Sequence, residues 1–138
     1  MQTPSLNCPA TEPVPTRNRC RPRRRSILLV DDQRSVREAI NLLLSLDGHR
    51  VSEAGNGTTA FDLFKHGQFD LVITDFEMPE MNGNELAARI KQVSPTQPVL
   101  MITAYAEKLR GADNPVDAVL EKPFQLEDLR QAIAKLLP

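Results

Sequence analysis

Three short apolar runs constrain this chain more than anything else in it: ILLV at 27–30, LVIT at 71–74 and VLMI at 99–102. Runs of this length, bounded by turn signals, fit strands buried on both faces of a parallel sheet. Each ends on a polar group. The first runs into Asp31 and Asp32, the second into Asp75, and the third into Thr103. A weaker run at 116–120 precedes Lys122, and residues 50–54 form a further short strand.

Between the runs the period changes from two to that of a helix. Val36, Ile40, Leu43 and Leu44 predict a first helix, opened by a capping box from Ser35 to Glu38 and stopped at Gly48. Asn56-Gly57 is turn chemistry before a second helix carrying Ala60, Phe61, Leu63 and Phe64. Asn82, with Glu85 three residues on, caps a third helix whose inner face is Leu86, Ile90 and Val93. Residues 104–114 have little amphipathic pattern and are broken by Gly111 and Asn114, so helix 4 is short or irregular. Leu126, Leu129, Ile133 and Leu136 make a fifth helix. Five strands alternating with helices imply an α/β fold: a doubly wound five-stranded parallel sheet with right-handed crossovers and helices on both faces.

Charge divides the chain in two. Residues 1–25 hold six arginines against Glu12, and 5 of the 11 prolines, with almost no large apolar residues. Such a segment buries too little surface to offset its ordering entropy, so it is read as a disordered basic tail. Residues 26–138 hold 11 basic and 17 acidic residues, a net charge of −6. An acidic domain without tryptophan argues against nucleic acid as its own ligand. Cys8 and Cys20 form no framework and are read as free thiols in a reducing cytoplasm. No stretch reaches the length of a membrane span, and no apolar signal core is present. His49 and His66 have no partner at metal-ligand spacing and are read as surface or turn residues. Met78, Met81 and Met101 are read as packing.

In a parallel sheet the ends of all strands of one direction lie on one edge. If the winding reverses beside strand 1, then Asp31, Asp32, Asp75, Thr103 and Lys122 share one crevice at a topological switch point. Clustered carboxylates repel one another, and a hard divalent cation such as Mg²⁺ relieves this. One carboxylate then serves as a nucleophile toward phosphorus, giving an acyl phosphate, and Asp75 is the candidate. Thr103 and Lys122 neutralise the transferred oxygens.

Five segments carry a resemblance: ILLVDD (27–32), DFEMP (75–79), NG (82–83), MITAY (101–105) and LEKPF (120–124). In this order and spacing, residues 26–138 resemble the receiver domain of response regulators, the stand-alone chemotaxis-regulator-like kind, in bacterial two-component signalling. The resemblance implies a flavodoxin-like sheet of order 2-1-3-4-5 and phosphorylation of Asp75. It implies Mg²⁺ held by Asp32, Asp75 and the backbone carbonyl of Glu77, with Asp31 acting through metal-bound water. Thr103 and Lys122 would bind phosphoryl oxygens, and the Lys122–Pro123 bond would be cis. The expected partners are a sensor histidine kinase or a phosphotransfer protein, and a downstream protein target in the cytoplasm. The chain would be no enzyme beyond its own phosphorylation and dephosphorylation.

One position and one interval depart from the family pattern. Val119 stands where relatives carry an aromatic ring that swings inward on activation. Tyr105, two residues after Thr103, is expected to shield the acyl phosphate and to replace that ring in part. The interval from Thr103 to Lys122 is also short, which compresses helix 4. No further domain follows helix 5 in this sequence, so the phosphorylated state is expected to be read by another protein, or its phosphate relayed. The alternative is a haloacid-dehalogenase-like phosphatase, which also uses an aspartate nucleophile but places it on strand 1 as D-x-D. A flavodoxin-like redox carrier is disfavoured because Asp31 and Asp32 would repel its phosphate.

Overall fold

A computed structural model describes residues 24–104 and 115–137. The elements run β1 (Ser26–Val30), α1 (Arg34–Leu46), β2 (Arg50–Ala54), α2 (Gly57–His66), β3 (Leu71–Asp75), α3 (Gly83–Val93), β4 (Val99–Thr103), β5 (Ala118–Glu121) and α4 (Leu126–Leu136). All five strands pair in parallel, in the order β2-β1-β3-β4-β5. This is the expected doubly wound sheet, with the winding reversed beside β1. The label α4 belongs to the expected fifth helix. The irregular helix expected over 104–114, and Tyr105 with it, lie outside the described residues apart from Ala104.

Successive side chains of a strand point to opposite faces, so each apolar run feeds two cores. Leu28, Val30, Val72 and Val99 pack with Ala60 and Phe64 of α2 and with Leu86 and Ile90 of α3. Ile27, Leu29, Ile73, Leu100 and Ile102 pack with Ile40 and Leu44 of α1 and with Leu129 and Ile133 of α4. Every residue of β3 and β4 is buried, which is why those runs have no polar alternation.

Several local expectations are corrected. Helix α1 opens after Gln33 with no side-chain cap, and Glu38 pairs with Arg34 at 2.9 Å instead of closing a box with Ser35. The Asp31 carboxylate takes the Gln33 N–H at 2.8 Å and tightens this turn in place of a cap. Helix α3 does carry its capping box, between Asn82 and Glu85. Its inner face uses Ala87, whereas Val93, in the last turn, is exposed on a groove shared with Phe64, Phe69 and Gln97. Strand β5 begins at Ala118 rather than 116. Asp117 ahead of it is fixed by its side chain, which accepts from Val99 N–H at 2.8 Å and from Lys91 Nζ at 2.7 Å.

His49 is buried, not a surface residue. Gly48 turns the chain at φ +83°, a conformation that costs glycine little, and His49 follows it into a buried position. Its Nδ1 accepts the Arg25 N–H at 3.0 Å, and burial pushes its pKa below the ordinary value. Arg25 also donates from Nη2 to the Leu137 carbonyl at 3.3 Å, so this last arginine of the basic segment is tied to the fold. Residues 1–23, with both cysteines, lie outside the described residues. His66 is exposed, as expected, and Met78 and Met101 are buried in the packing.

Candidate functional site

Each candidate side chain is delivered by a strand end. Asp31 and Asp32 follow β1, Asp75 closes β3, Thr103 closes β4, and Lys122 follows β5. The register aligns these ends, with Val30 opposite Thr74, Asp75 opposite Ile102, and Thr103 opposite Glu121. The ladder continues one step beyond β5, where Lys122 N–H donates to the Thr103 carbonyl at 2.9 Å. That bond fixes the backbone from which the Lys122 side chain reaches back across the edge.

Asp31, Asp32 and Asp75 each present a carboxylate oxygen, all within 4.8 Å of one another. Lys122 Nζ donates to Asp75 Oδ1 at 3.3 Å and lies 3.8 Å from Asp31 Oδ2. Asp31 and Asp75 are buried, whereas Asp32 is exposed. With all three acids ionised, one ammonium leaves an excess of two negative charges. Burial raises the pKa of Asp75, Asp31 raises it further, and Lys122 pulls it partly back. Burial likewise raises Asp31, opposed by the Gln33 N–H and by Lys122. A set of oxygen donors with surplus negative charge and one solvent-facing member fits a hard divalent cation that keeps some of its water.

Thr103 is fully buried at the end of β4, next in line to the Asp75 pairing partner. Glu77 lies in the exposed turn two residues beyond Asp75. In that turn Glu80 adopts φ +70°, and Met81 N–H closes back onto the Pro79 carbonyl at 2.7 Å. The Lys122–Pro123 bond is cis. Val119 pairs with Met101 in the ladder and is 39% exposed, so a valine, not a ring, stands at that place on β5. Among the described residues, then, the edge gathers Asp31, Asp32, Asp75 and Lys122 by direct distance and Thr103 by register.

One residue of the site has a role that sequence reasoning missed. Gly83 stood out in sequence only as part of the NG pair at 82–83, but its constraint is proximity. A Cβ there would lie 2.5 Å from the Asp75 carbonyl oxygen and 2.9 Å from the Met101 side chain. Its N–H donates to the Phe76 carbonyl at 2.9 Å, so the start of α3 presses against the backbone that carries Asp75. No one-dimensional pattern marks such a contact.

The family model for the response regulator receiver domain matches residues 27–134. The chain belongs to the response-regulator receiver family. It is 38% identical over 114 residues to the response regulator receiver protein CpdR of Brucella abortus, covering 80% of this chain and 95% of that protein. It is 37% identical over 114 residues to the response regulator MprA of Mycobacterium sp. (strain KMS), covering 80% of this chain but 50% of that relative. The chain thus spans about half the length of several curated relatives it matches. Among solved structures it superposes on the response regulator TrrA of Thermotoga maritima, in complex with Mg²⁺-BeF, with TM-score 0.77. The identity there is 33%, over 81% of this chain and 98% of that one. The phosphatase alternative finds no support in these relationships. No helix among the described residues is long and apolar enough to cross a membrane.

Proposed function

We propose that Asp75 is the phosphoacceptor of this receiver domain and that its phosphorylation switches the binding of another protein. The observation that carries this is the cluster of Asp31, Asp32 and Asp75 around Lys122, on the carboxyl edge of a receiver sheet. Asp32, Asp75 and the Glu77 carbonyl would hold Mg²⁺, with Asp31 acting through its water. TrrA, similar in fold and sequence, is a structure in complex with Mg²⁺-BeF, which favours the same ion here. When bound, the ion offsets charge on the transferred phosphoryl oxygens.

The chain's own residues supply the rest. An Asp75 carboxylate oxygen attacks the phosphorus of a phosphohistidine on a sensor kinase or phosphotransfer protein. The P–N bond breaks, its electron pair stays on the imidazole nitrogen, and that nitrogen gains a proton. Lys122 already contacts an Asp75 oxygen at 3.3 Å, so its ammonium stands beside the developing charge. Thr103 brings a hydroxyl from the neighbouring strand end. Tyr105 would limit the access of water to the acyl phosphate. With Val119 in place of a ring, the signal would leave the site by another route than an aromatic swing. The reaction belongs in the cytoplasm, where such donors are phosphorylated, and it makes the chain a signalling module rather than an enzyme with a turnover substrate.

The test is to incubate the full chain with Mg²⁺ and acetyl phosphate, compare wild type with Asp75→Ala, and use each state as bait. The expected result is labelling of the wild type alone and partners retained only by the labelled form. An unlabelled wild type, or equal labelling of the variant, would sink the proposal.

A further inference from the structure

The peptide that joins Asp31 to Asp32 is gripped from outside the acid cluster. Arg37, in the first turns of α1, donates from Nη1 to the Asp31 carbonyl at 2.7 Å. The same guanidinium donates from Nε to Glu53 Oε1 of β2, also at 2.7 Å. Glu53 is held in turn by Asn41 Nδ2, one turn further along α1. The Arg37 side chain is only 16% exposed, and Gly55 leaves it room, since a Cβ there would lie 3.3 Å from Nη1. The Asp31 N–H donates to the Ala54 carbonyl at 3.2 Å. The backbone of Asp31 is therefore fixed on both sides, to β2 through its N–H and to Arg37 through its carbonyl.

We propose that Arg37 is a positioning residue for the divalent-cation site: by holding the Asp31–Asp32 peptide, it sets how these two carboxylates face Asp75. The proposal rests on the ion-site reading above. A guanidinium suits the task because its planar fork presents two donors at a fixed angle, one for Glu53 and one for the carbonyl. A lysine can satisfy either partner but cannot bridge them in the same way. The partners of metal-ligating carboxylates orient the ligands, and their loss weakens the ion.

Electrostatics gives this proposal a sign that a purely structural role would not produce. Arg37 is a cation close to an acid cluster, so by charge alone its removal strengthens cation binding. A positioning role requires the opposite. The experiment is a calorimetric Mg²⁺ titration of the full chain as wild type, Arg37→Ala, Arg37→Lys and Arg130→Ala, with unfolding temperatures measured in parallel. Arg130 pairs with Asp47 at the far end of α1, about 15 Å from Arg37 at the helical rise per residue, and controls for stability lost elsewhere.

Arg37→Ala is expected to weaken Mg²⁺ binding about ten-fold, with Arg37→Lys in between, while Arg130→Ala binds as the wild type does. Affinity in Arg37→Ala equal to or tighter than wild type overturns the proposal, as does an equal loss in Arg130→Ala. If the alanine variant does not fold, Arg37→Lys decides by the same criterion. A wild type that takes up no Mg²⁺ overturns the ion site itself, an outcome distinct from a site that forms without needing Arg37.

Discussion

The two edges of the sheet treat their acids in opposite ways. At the amino edge each acid has a structural partner. Asp47 receives Arg130 through two bonds of 2.6 and 2.8 Å, Asp70 takes the Ser26 N–H at 2.8 Å, and Asp117 takes Lys91 and the Val99 N–H. At the carboxyl edge Asp31, Asp32 and Asp75 crowd together with Lys122 as their near cation. The same residue type thus closes the fold at one edge and loads it at the other. Crowded acids lower the stability of the empty domain, a cost that the proposed ion and reaction would account for.

The largest expected effect separates chemistry from stability. Asp75→Asn should abolish labelling by acetyl phosphate while the domain stays folded. Asp47→Asn should lower the unfolding temperature by several degrees and leave labelling unchanged, because it loosens the bidentate Arg130 contact far from the reaction. Labelling lost in both variants would mean that the two edges are not separable. Next in size is Gly83→Ala. A Cβ meeting the Asp75 carbonyl oxygen at 2.5 Å must displace backbone, at a cost of about 1–3 kcal/mol. It should also slow phosphorylation, which a denaturant titration and a labelling time course would show together.

pH sharpens the contrast, because the edges respond with opposite sign. Asp31 and Asp75 have pKa values raised above 3.8 by burial. An acid raised in the fold disfavours it when ionised, so stability from this pair grows as pH falls from above the raised values toward 3.8. Mg²⁺ affinity should fall over the same window, since the ligands must be deprotonated. His49, at the amino edge, is held below 6.5 by burial, and its Nδ1 must stay unprotonated to accept from Arg25. Its contribution is complete above 6.5 and is lost as pH falls through the depressed value. Comparing wild type with His49→Gln should reveal this smaller term, and a difference that does not vary with pH would refute it.

The carboxyl edge was the more legible of the two in sequence. Parallel strands place all their ends together, so the apolar runs before Asp31, Asp75 and Thr103 were enough to predict which groups meet. The amino edge was not legible. His49 looks like any turn histidine until Gly48 is seen to fold it inward, and Asp47 and Arg130 meet across 83 residues of sequence. Val93 kept the helical period of its face but lies at the end of α3, where exposure depends on how far the neighbouring elements extend. Arg37 escaped notice because its partners, the Asp31 carbonyl and Glu53, become neighbours only once α1 lies beside β2.

The most direct measurement is the unfolding temperature of wild type and Asp32→Asn at neutral pH, with and without Mg²⁺. Mg²⁺ is predicted to raise the wild-type value. Asp32→Asn should start above the wild type in the absence of the ion, because repulsion is relieved, and should no longer respond to it. A wild type indifferent to Mg²⁺, or a variant that responds equally, would contradict the reading of the carboxyl edge as an ion site kept at the expense of stability.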